Sequence, residues 1–521
     1  MTFSLVIRLY LLTADGGLPA SAQSSARSIV AASSRGMIYD RNLCALVRRN
    51  NRWLVCVLPG AASAQTLKQA LSEAEYNDYY EKLQRGSLVI FETDSPELYT
   101  SCPDIAVLNV SDRYTSPQTA AHIIGHLNSD SSRGVYGVEK CFDEYLSQYS
   151  GSLTLYYNTD ALGRVLTGAD ARVHDSGYNS AAGIALTLDS DLQQITEQAL
   201  ASCGYKTGAA VVLDANTAQL LACASVPVFD CNNVAASLTD ADSPFLNRAL
   251  TSYCVGSVFK LVVAAAALES GIDESFSYTC TGSCVKGGTR FACHKASGHG
   301  ELDMKTAFTV SCNTYFIELA QHVGAQQLLF YAESFGFTGE IELLPGFSTD
   351  AAVLPELASI DSPAALSNLA FGQGGLLATP VHLAACYLAA INGGTYYAPT
   401  LYAGKVDAYG ELTDAPEPSL PKKVISEKTS KLLKDYLFLT VQNGSGKPAK
   451  SDNYLCGGKT ATAQTGRFDG RREILNAWFV GYYPYNNPKY IIAVIKEDGT
   501  TGSADAAPVF SKICNALAGT D

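Results

Sequence analysis

The sequence predicts an α+β fold, and three observations carry that reading. Residues 209–214 and 219–225 are two short apolar runs joined by a turn at Ala215-Asn216-Thr217, the pattern of an antiparallel hairpin. Residues 477–482 and 490–495 read as two more buried strands near the C-terminus. Between these pairs, residues 256–271 read as a helix that is apolar nearly all round from Val258 to Leu268, with Gly271 as its stop. Such a helix belongs inside a large domain.

A chain of 521 residues, 47% hydrophobic and 17% charged, is globular in composition and long enough for two or more domains. A net charge of −13 argues against a nucleic-acid surface. The 15 cysteines are scattered, with no compact disulfide framework.

In chain order, residues 3–12 are apolar apart from Ser4 and Arg8, about half of the roughly 20 residues a membrane span needs. Residues 13–34, rich in Ala, Ser and Gly, read as a linker. Arg35-Gly36-Met37-Ile38-Tyr39-Asp40-Arg41-Asn42 reads as a short strand entering a turn, followed by Leu43. Residues 62–85 carry Leu67, Ala70, Leu71 and Ala74 at helical spacing, and residues 86–91 read as a strand. A glycine-punctuated stretch leads to Gly137-Val138-Glu139 and a helix containing Phe142, Tyr145 and Leu146. Strand 184–188 and helix 189–200, with Asp189 at its start, precede the hairpin. Later, Phe371-Gly372-Gln373-Gly374 is followed by Thr379-Pro380, which opens an apolar helix.

The chemistry-bearing residues begin at Ser257 and Lys260. At i and i+3 near a helix start they share one face. A serine hydroxyl needs a base to become a nucleophile, and burial in an apolar site turns a lysine into one. Ser-x-x-Lys by itself occurs by chance in long chains, and its bland form is a helix cap beside a surface lysine. Two further segments follow in order: Ser311-Cys312-Asn313, and Lys459-Thr460-Ala461-Thr462. Ser-x-x-Lys, Ser-x-Asn and Lys-Thr-Gly together mark the serine β-lactamases and penicillin-binding proteins.

With these motifs the chain resembles a class B penicillin-binding protein from about Arg35 to Phe510. The resemblance implies a transpeptidase domain of antiparallel sheet flanked by helices over 183–521. It also implies a smaller mixed α/β pedestal over 35–182, a linker over 13–34, and the remnant of a membrane anchor over 1–12. It implies a D,D-transpeptidase that cross-links peptidoglycan stem peptides ending in D-Ala-D-Ala. Ser257 is then the nucleophile, Lys260 the base, Ser311 a proton relay and Asn313 a support for Lys260 and the substrate amide. Lys459, Thr460 and Thr462 bind substrate, and the backbone N–H groups of Ser257 and Thr462 form the oxyanion hole. β-Lactams are implied as covalent inhibitors, a separate membrane glycosyltransferase as partner, and the outer face of the plasma membrane as location. No cofactor is expected. Arg35 and Glu139 are expected to pair where pedestal meets catalytic domain.

Three departures from the family pattern stand out. Leu43 replaces a turn glycine, Val255 replaces a proline ahead of Gly256, and Ala461 replaces the glycine of Lys-Thr-Gly. A methyl at 461 directed into the pocket would slow acylation by bulky β-lactams. A cluster of Cys280, Cys284, Cys293, His294 and His299, ending near Cys312, leaves structural zinc, disulfides and free buried cysteines all open. A β-lactamase or β-lactam sensor on the same fold, and a non-catalytic scaffold, are the competing functions.

Overall fold

The computed structural model describes residues 26–160, 162–166, 172–451 and 453–519. Its N-terminal part carries β1 (Ala26–Ser34), β2 (Met37–Tyr39), β3 (Asn51–Val57), α1 (Ala61–Ala70), α2 (Glu73–Gln84), β4 (Val89–Thr93), β5 (Ile105–Ser111), β6 (Gly151–Asn158) and β7 (Arg172–Asp175). Strands β4, β3 and β5 form one antiparallel sheet in that order. Leu67 of α1 and Leu83 of α2 bury against its Val55, Val57 and Val89. Strands β1, β6 and β7 form a second sheet.

Strand β1 corrects the sequence reading, which assigned 13–34 to a linker. Ala26 to Ser34 pair with Asn158 to Gly151, with one register shift between Val30 and Ala32. The composition misled because main-chain pairing makes this strand, while Ile29 and Val30 stay exposed and leave no buried stripe to detect. Residues 13–25, and the anchor expected at 1–12, lie outside the described residues. The helical stretch read over 62–85 is two helices. Ser72 breaks it by starting a new one, with its hydroxyl and the Glu75 carboxylate in a capping box. The strand expected at 86–91 begins at Val89, because Gly86, at φ +75°, closes the turn after α2.

The catalytic part carries β8 (Gly183–Leu186), α3 (Ser190–Ser202), β9 (Gly208–Asp214), β10 (Leu220–Val226), α4 (Lys260–Glu269), α5 (Met304–Thr309), α6 (Asn313–Val323), α7 (Pro380–Ile391), β11 (Tyr402–Val406), α8 (Glu427–Asn443), β12 (Gly457–Asp469), β13 (Arg472–Tyr483), β14 (Tyr490–Lys496) and α9 (Ala507–Ala518). The main sheet is five antiparallel strands in the order β10–β9–β14–β13–β12. Strand β13, carrying residues 477–482, pairs directly with the Lys459 strand β12, whereas β14 lies between β13 and β9. One face of the sheet buries Val211, Ala461, Trp478 and Val480 against the helical side holding α4 and α7. The other buries Val212, Phe479, Ile492 and Val494 against α3 and α9. Strands buried on both faces need continuous apolar runs, which the sequence shows. Among the described residues no helix is long and apolar enough to cross a membrane.

The boundary at 182/183 is bridged by sheet. Strand β2 pairs in parallel with β8, and β8 pairs with β11. Beyond β2 the chain turns around Asp40, whose Oδ1 accepts from the backbone N–H of Asn42 and of Cys44, both at 2.8 Å. Its Oδ2 accepts from the Ser190 hydroxyl at 2.7 Å. Leu43 takes φ +58°, the left-handed conformation a glycine would adopt, so the turn keeps its shape at the cost of local strain.

Arg35 and Glu139 do pair. Arg35 Nε lies 3.2 Å from Glu139 Oε2, and Arg113 Nε donates to Glu139 Oε1 at 2.7 Å. The Tyr114 hydroxyl also donates to Oε1, at 3.0 Å. Glu139 is fully buried between the two guanidinium groups, while Asp143, 30% exposed, holds the outer side of Arg35. Arg113 reaches on to the carbonyls of Arg35 and Gly36. A buried carboxylate shared by two cations is costly to lose, because two desolvated charges remain. Glu139→Gln is expected to destabilise the protein by about 3–5 kcal/mol, and Asp143→Asn by clearly less, as read by thermal unfolding.

Candidate active site

Ser257 sits in a single 3-10 turn, Gly256–Phe259, that runs into α4. Gly256 is at φ +65°, and its N–H donates to Gly372 O at 2.9 Å. A Cβ on Gly372 would stand 2.0 Å from Gly256 O, so the Gly372-Gln373-Gly374 turn can press against the Ser257 turn only because residue 372 is glycine. Val255, which replaces the proline, is fully buried. Ser257 is half-buried and caps no helix: the first turn has no side-chain cap. The bland reading of Ser257 is therefore not realised.

Lys260 lies one turn on and is fully buried. Its Nζ donates to Asn313 Oδ1 at 2.6 Å, to Ser311 O at 2.8 Å and to Ser311 Oγ at 3.2 Å. The Phe316 ring lies beneath, 5.6 Å from Nζ. Burial pulls the ammonium down to about 7 from its ordinary value, with the nearby thiols of Cys312 and Cys293 opposing the shift. Ser311, only 8% exposed, is at φ +57°, an uncommon conformation for serine that strain-bearing functional turns adopt. That conformation lets the chain leave α5 and start α6 at Asn313, so that Ser311 and Asn313 reach Lys260 from one turn.

Strand β12 closes the site. A Cβ on Gly256 would lie 3.0 Å from the Ala463 methyl and 3.4 Å from the Ala461 methyl, which places the strand against the Ser257 turn. Alternation puts Lys459, Ala461 and Ala463 on that face. Lys459 is fully buried, its Nζ donates to Thr460 O at 3.1 Å, and it lies 5.9 Å from the Phe308 ring. Burial, and then repulsion from Lys260, hold its ammonium well below the usual lysine range. Thr460 and Thr462 face the other way. Thr462 Oγ1 accepts from Gly502 N–H at 3.3 Å, and Thr460 Oγ1 donates to Ser445 Oγ at 2.8 Å. Sequence reasoning passed over Ser445 and the two aromatic walls, Phe308 and Phe316. Their positions beside the Ser311 and Asn313 segment were the available signal.

The segment 208–515 matches the family model described as the penicillin-binding protein transpeptidase domain. The chain belongs to the class B penicillin-binding proteins. Stage V sporulation protein D of Bacillus subtilis is 29% identical over 513 residues, covering 92% of this chain and 77% of that protein. The peptidoglycan D,D-transpeptidase MrdA of Haemophilus influenzae is 27% identical over 463 residues, covering 77% and 68%. A solved chain from a peptidoglycan synthase complex superposes with a TM-score of 0.71 at 24% identity, covering all of this chain and 96% of that one.

Within this class B penicillin-binding protein, Ala461 is 3% exposed and packs with Trp478 and Val480 beside the Gly256 turn. The methyl is buried beside the Ser257 turn and does not stand in an open groove, so the condition for obstructing bulky β-lactams is not met. Ala461→Gly is expected to lower the melting temperature, through loss of one buried methyl and added strand flexibility worth about 1–2 kcal/mol together. β-Lactam acylation should stay within about twofold, one methyl removed from beside the turn being worth well under a tenfold change in rate.

On the other side of the Ser311–Asn313 turn lie Cys280, Cys293, His299 and Cys312, whose ligand atoms all fall within 4.8 Å of one another. The Cys293 and Cys312 sulfurs are 3.8 Å apart, and His299 Nδ1 is 3.5 Å from the Cys293 sulfur and 3.6 Å from that of Cys280. These three separations match edges of a tetrahedron about an ion with bonds of roughly 2.0–2.3 Å, and three sulfurs with one imidazole suit zinc. Cys284 stands outside the set, and His294 Nδ1 lies 3.9 Å from the Cys293 sulfur without completing it. No disulfide joins any of the 15 cysteines. The Cys312 thiol pulls the Cys293 thiol strongly down and is itself pushed up, as expected for two sulfurs sharing one proton. Purified protein is expected to carry about one zinc per chain by elemental analysis, and Cys293→Ser to lose it.

Proposed function

We propose that this D,D-transpeptidase works through a Ser257 acyl-enzyme, with the roles set by the dry contact between Lys260, Ser311 and Asn313. That contact is the observation that carries the reading. A neutral amine at Lys260 has two hydrogens and one lone pair. The hydrogens suit Asn313 Oδ1 and Ser311 O. The lone pair is left for a hydroxyl.

Ser257 Oγ attacks the carbonyl between the two D-alanines of a stem peptide as its proton passes to Lys260 Nζ. The backbone N–H groups of Ser257 and Thr462 stabilise the oxyanion, typically by roughly 3–4 kcal/mol per donor. The leaving D-alanine amine takes its proton through Ser311 Oγ, and the acyl group stays on Ser257. An acceptor amine from a second stem peptide then attacks the ester and restores the hydroxyl. Lys459 and Thr460 hold the terminal carboxylate, Thr462 meets the substrate through its backbone N–H, and Asn313 also faces the substrate amide. β-Lactams, which mimic the D-Ala-D-Ala terminus, acylate the same hydroxyl.

On this reading 183–521 is the catalytic domain and 35–182 a pedestal, both outside the cytoplasm, with the membrane anchor assigned from the sequence to 1–12. A separate glycosyltransferase supplies the glycan strand. The similarity to a peptidoglycan synthase complex supports that partnership.

A fluorescent penicillin is expected to label the wild type stably and Ser257→Ala not at all. Rapid loss of label would indicate a β-lactamase, and no labelling of folded wild type a scaffold. Because Lys260 must be neutral to accept the proton, and burial holds it to about 7, acylation should rise as pH rises. The second-order rate should be about tenfold higher at pH 8 than at pH 6, with the gain lost in Lys260→Met.

A further inference from the structure

The Thr460 hydroxyl has one proton, and in the free protein it gives that proton to Ser445 Oγ at 2.8 Å. Ser445 lies just past α8 in the segment Gly444-Ser445-Gly446, and that segment is held tightly. A Cβ on Gly444 would stand 2.1 Å from Thr309 O. The Ser445 N–H points at the same carbonyl at 3.4 Å, and Gly446 N–H donates to Thr440 O at 3.0 Å. Thr309 is the last residue of α5, two before Ser311. Ser445 therefore joins the strand bearing Lys459 and Thr460 to the element that presents Ser311. Its own hydroxyl proton has no other acceptor among the described residues.

A carboxylate only accepts hydrogen bonds. For Thr460 to donate to one, it must withdraw its proton from Ser445, and its oxygen is then free to accept. We propose that Ser445 is a positioning residue for the substrate carboxylate. When a carboxylate binds, Ser445 rotates to donate to Thr460, and Thr460 donates to the carboxylate. The two hydroxyls become a chain of donors ending on the negative charge, and each bond polarises the next. Selectivity for a free C-terminal carboxylate would thus lie partly in a residue that never touches it. This rests on the reading of Thr460 given above.

The test compares acylation by benzylpenicillin with acylation by its methyl ester, which lacks the negative charge. Ser445→Ala should slow benzylpenicillin about tenfold, the typical effect of one charge-directed hydrogen bond, and slow the ester much less. Ser445→Thr should restore the wild-type ratio, and Ser445→Ala should add nothing in a Thr460→Val background. An equal loss with both probes marks Ser445 as a packing residue and overturns the proposal, as does no loss with either. A wild type that benzylpenicillin does not acylate removes the transpeptidase reading and this proposal with it. A wild type that acylates normally, with Thr460→Val losing no preference for the carboxylate, removes only the assignment of Thr460 and Ser445.

Discussion

A fully buried lysine with no carboxylate among its partners in the described residues is the constraint around which the catalytic domain is arranged. Lys260 is fully buried, and its hydrogen-bond partners are an amide oxygen, a carbonyl and a hydroxyl. Keeping such a group charged in the fold costs free energy. The displacement from its ordinary 10.5 to about 7 corresponds to about 5 kcal/mol. The folded pKa lies below the unfolded one, so the unfolded chain binds more protons between those limits and stability rises with pH across them. Below about pH 7 the fold carries the whole cost. The apolar residues of α4, fully buried from Leu261 to Ala267, are what can offset it.

That helix also explains the placement of the other parts. It packs among helices, α7 included, and the Tyr387 hydroxyl of α7 donates to Val258 O at 3.0 Å at its start. Two glycine turns, at 256 and 372, interlock where side chains would collide. Strand β12 then lies directly against the nucleophile turn. Far from this contact, the buried Arg35–Glu139–Arg113 group fixes the first residues after β1 to the segment after β5 and to the short helix Gly137–Cys141, and the shared sheet of β2, β8 and β11 makes the junction continuous.

Most of the catalytic fold was legible because its elements are strongly patterned. The two-sided burial of β9, β13 and β14 produces unbroken apolar runs, and Thr379-Pro380 marks the start of α7 unmistakably. The three site segments were legible because their chemistry requires those residue types at short spacing. What escaped notice lacks either signal. Strand β1 is held by backbone pairing on an exposed sheet. The break between α1 and α2 rests on a single capping serine. The Ala461 methyl could be assigned a side only once the register Lys459↔Val480 and Ala461↔Trp478 was in place. Ser445 meets Thr460 across a fold contact that no local pattern encodes.

The Ser311-Cys312-Asn313 turn shows how the site keeps a strained conformation. A left-handed serine costs about 1–3 kcal/mol and persists only where its surroundings over-determine it. Alternate residues of the turn face opposite ways: Ser311 and Asn313 toward Lys260, Cys312 toward Cys293 and the Thr314 hydroxyl, 3.8 and 3.4 Å away. The lysine side and the cysteine side therefore grip one short segment from two directions. Loosening either grip would let Ser311 relax toward an ordinary backbone conformation and carry its hydroxyl away from Lys260 Nζ. The thiol cluster is then coupled to Ser311 and Lys260 through this one short segment.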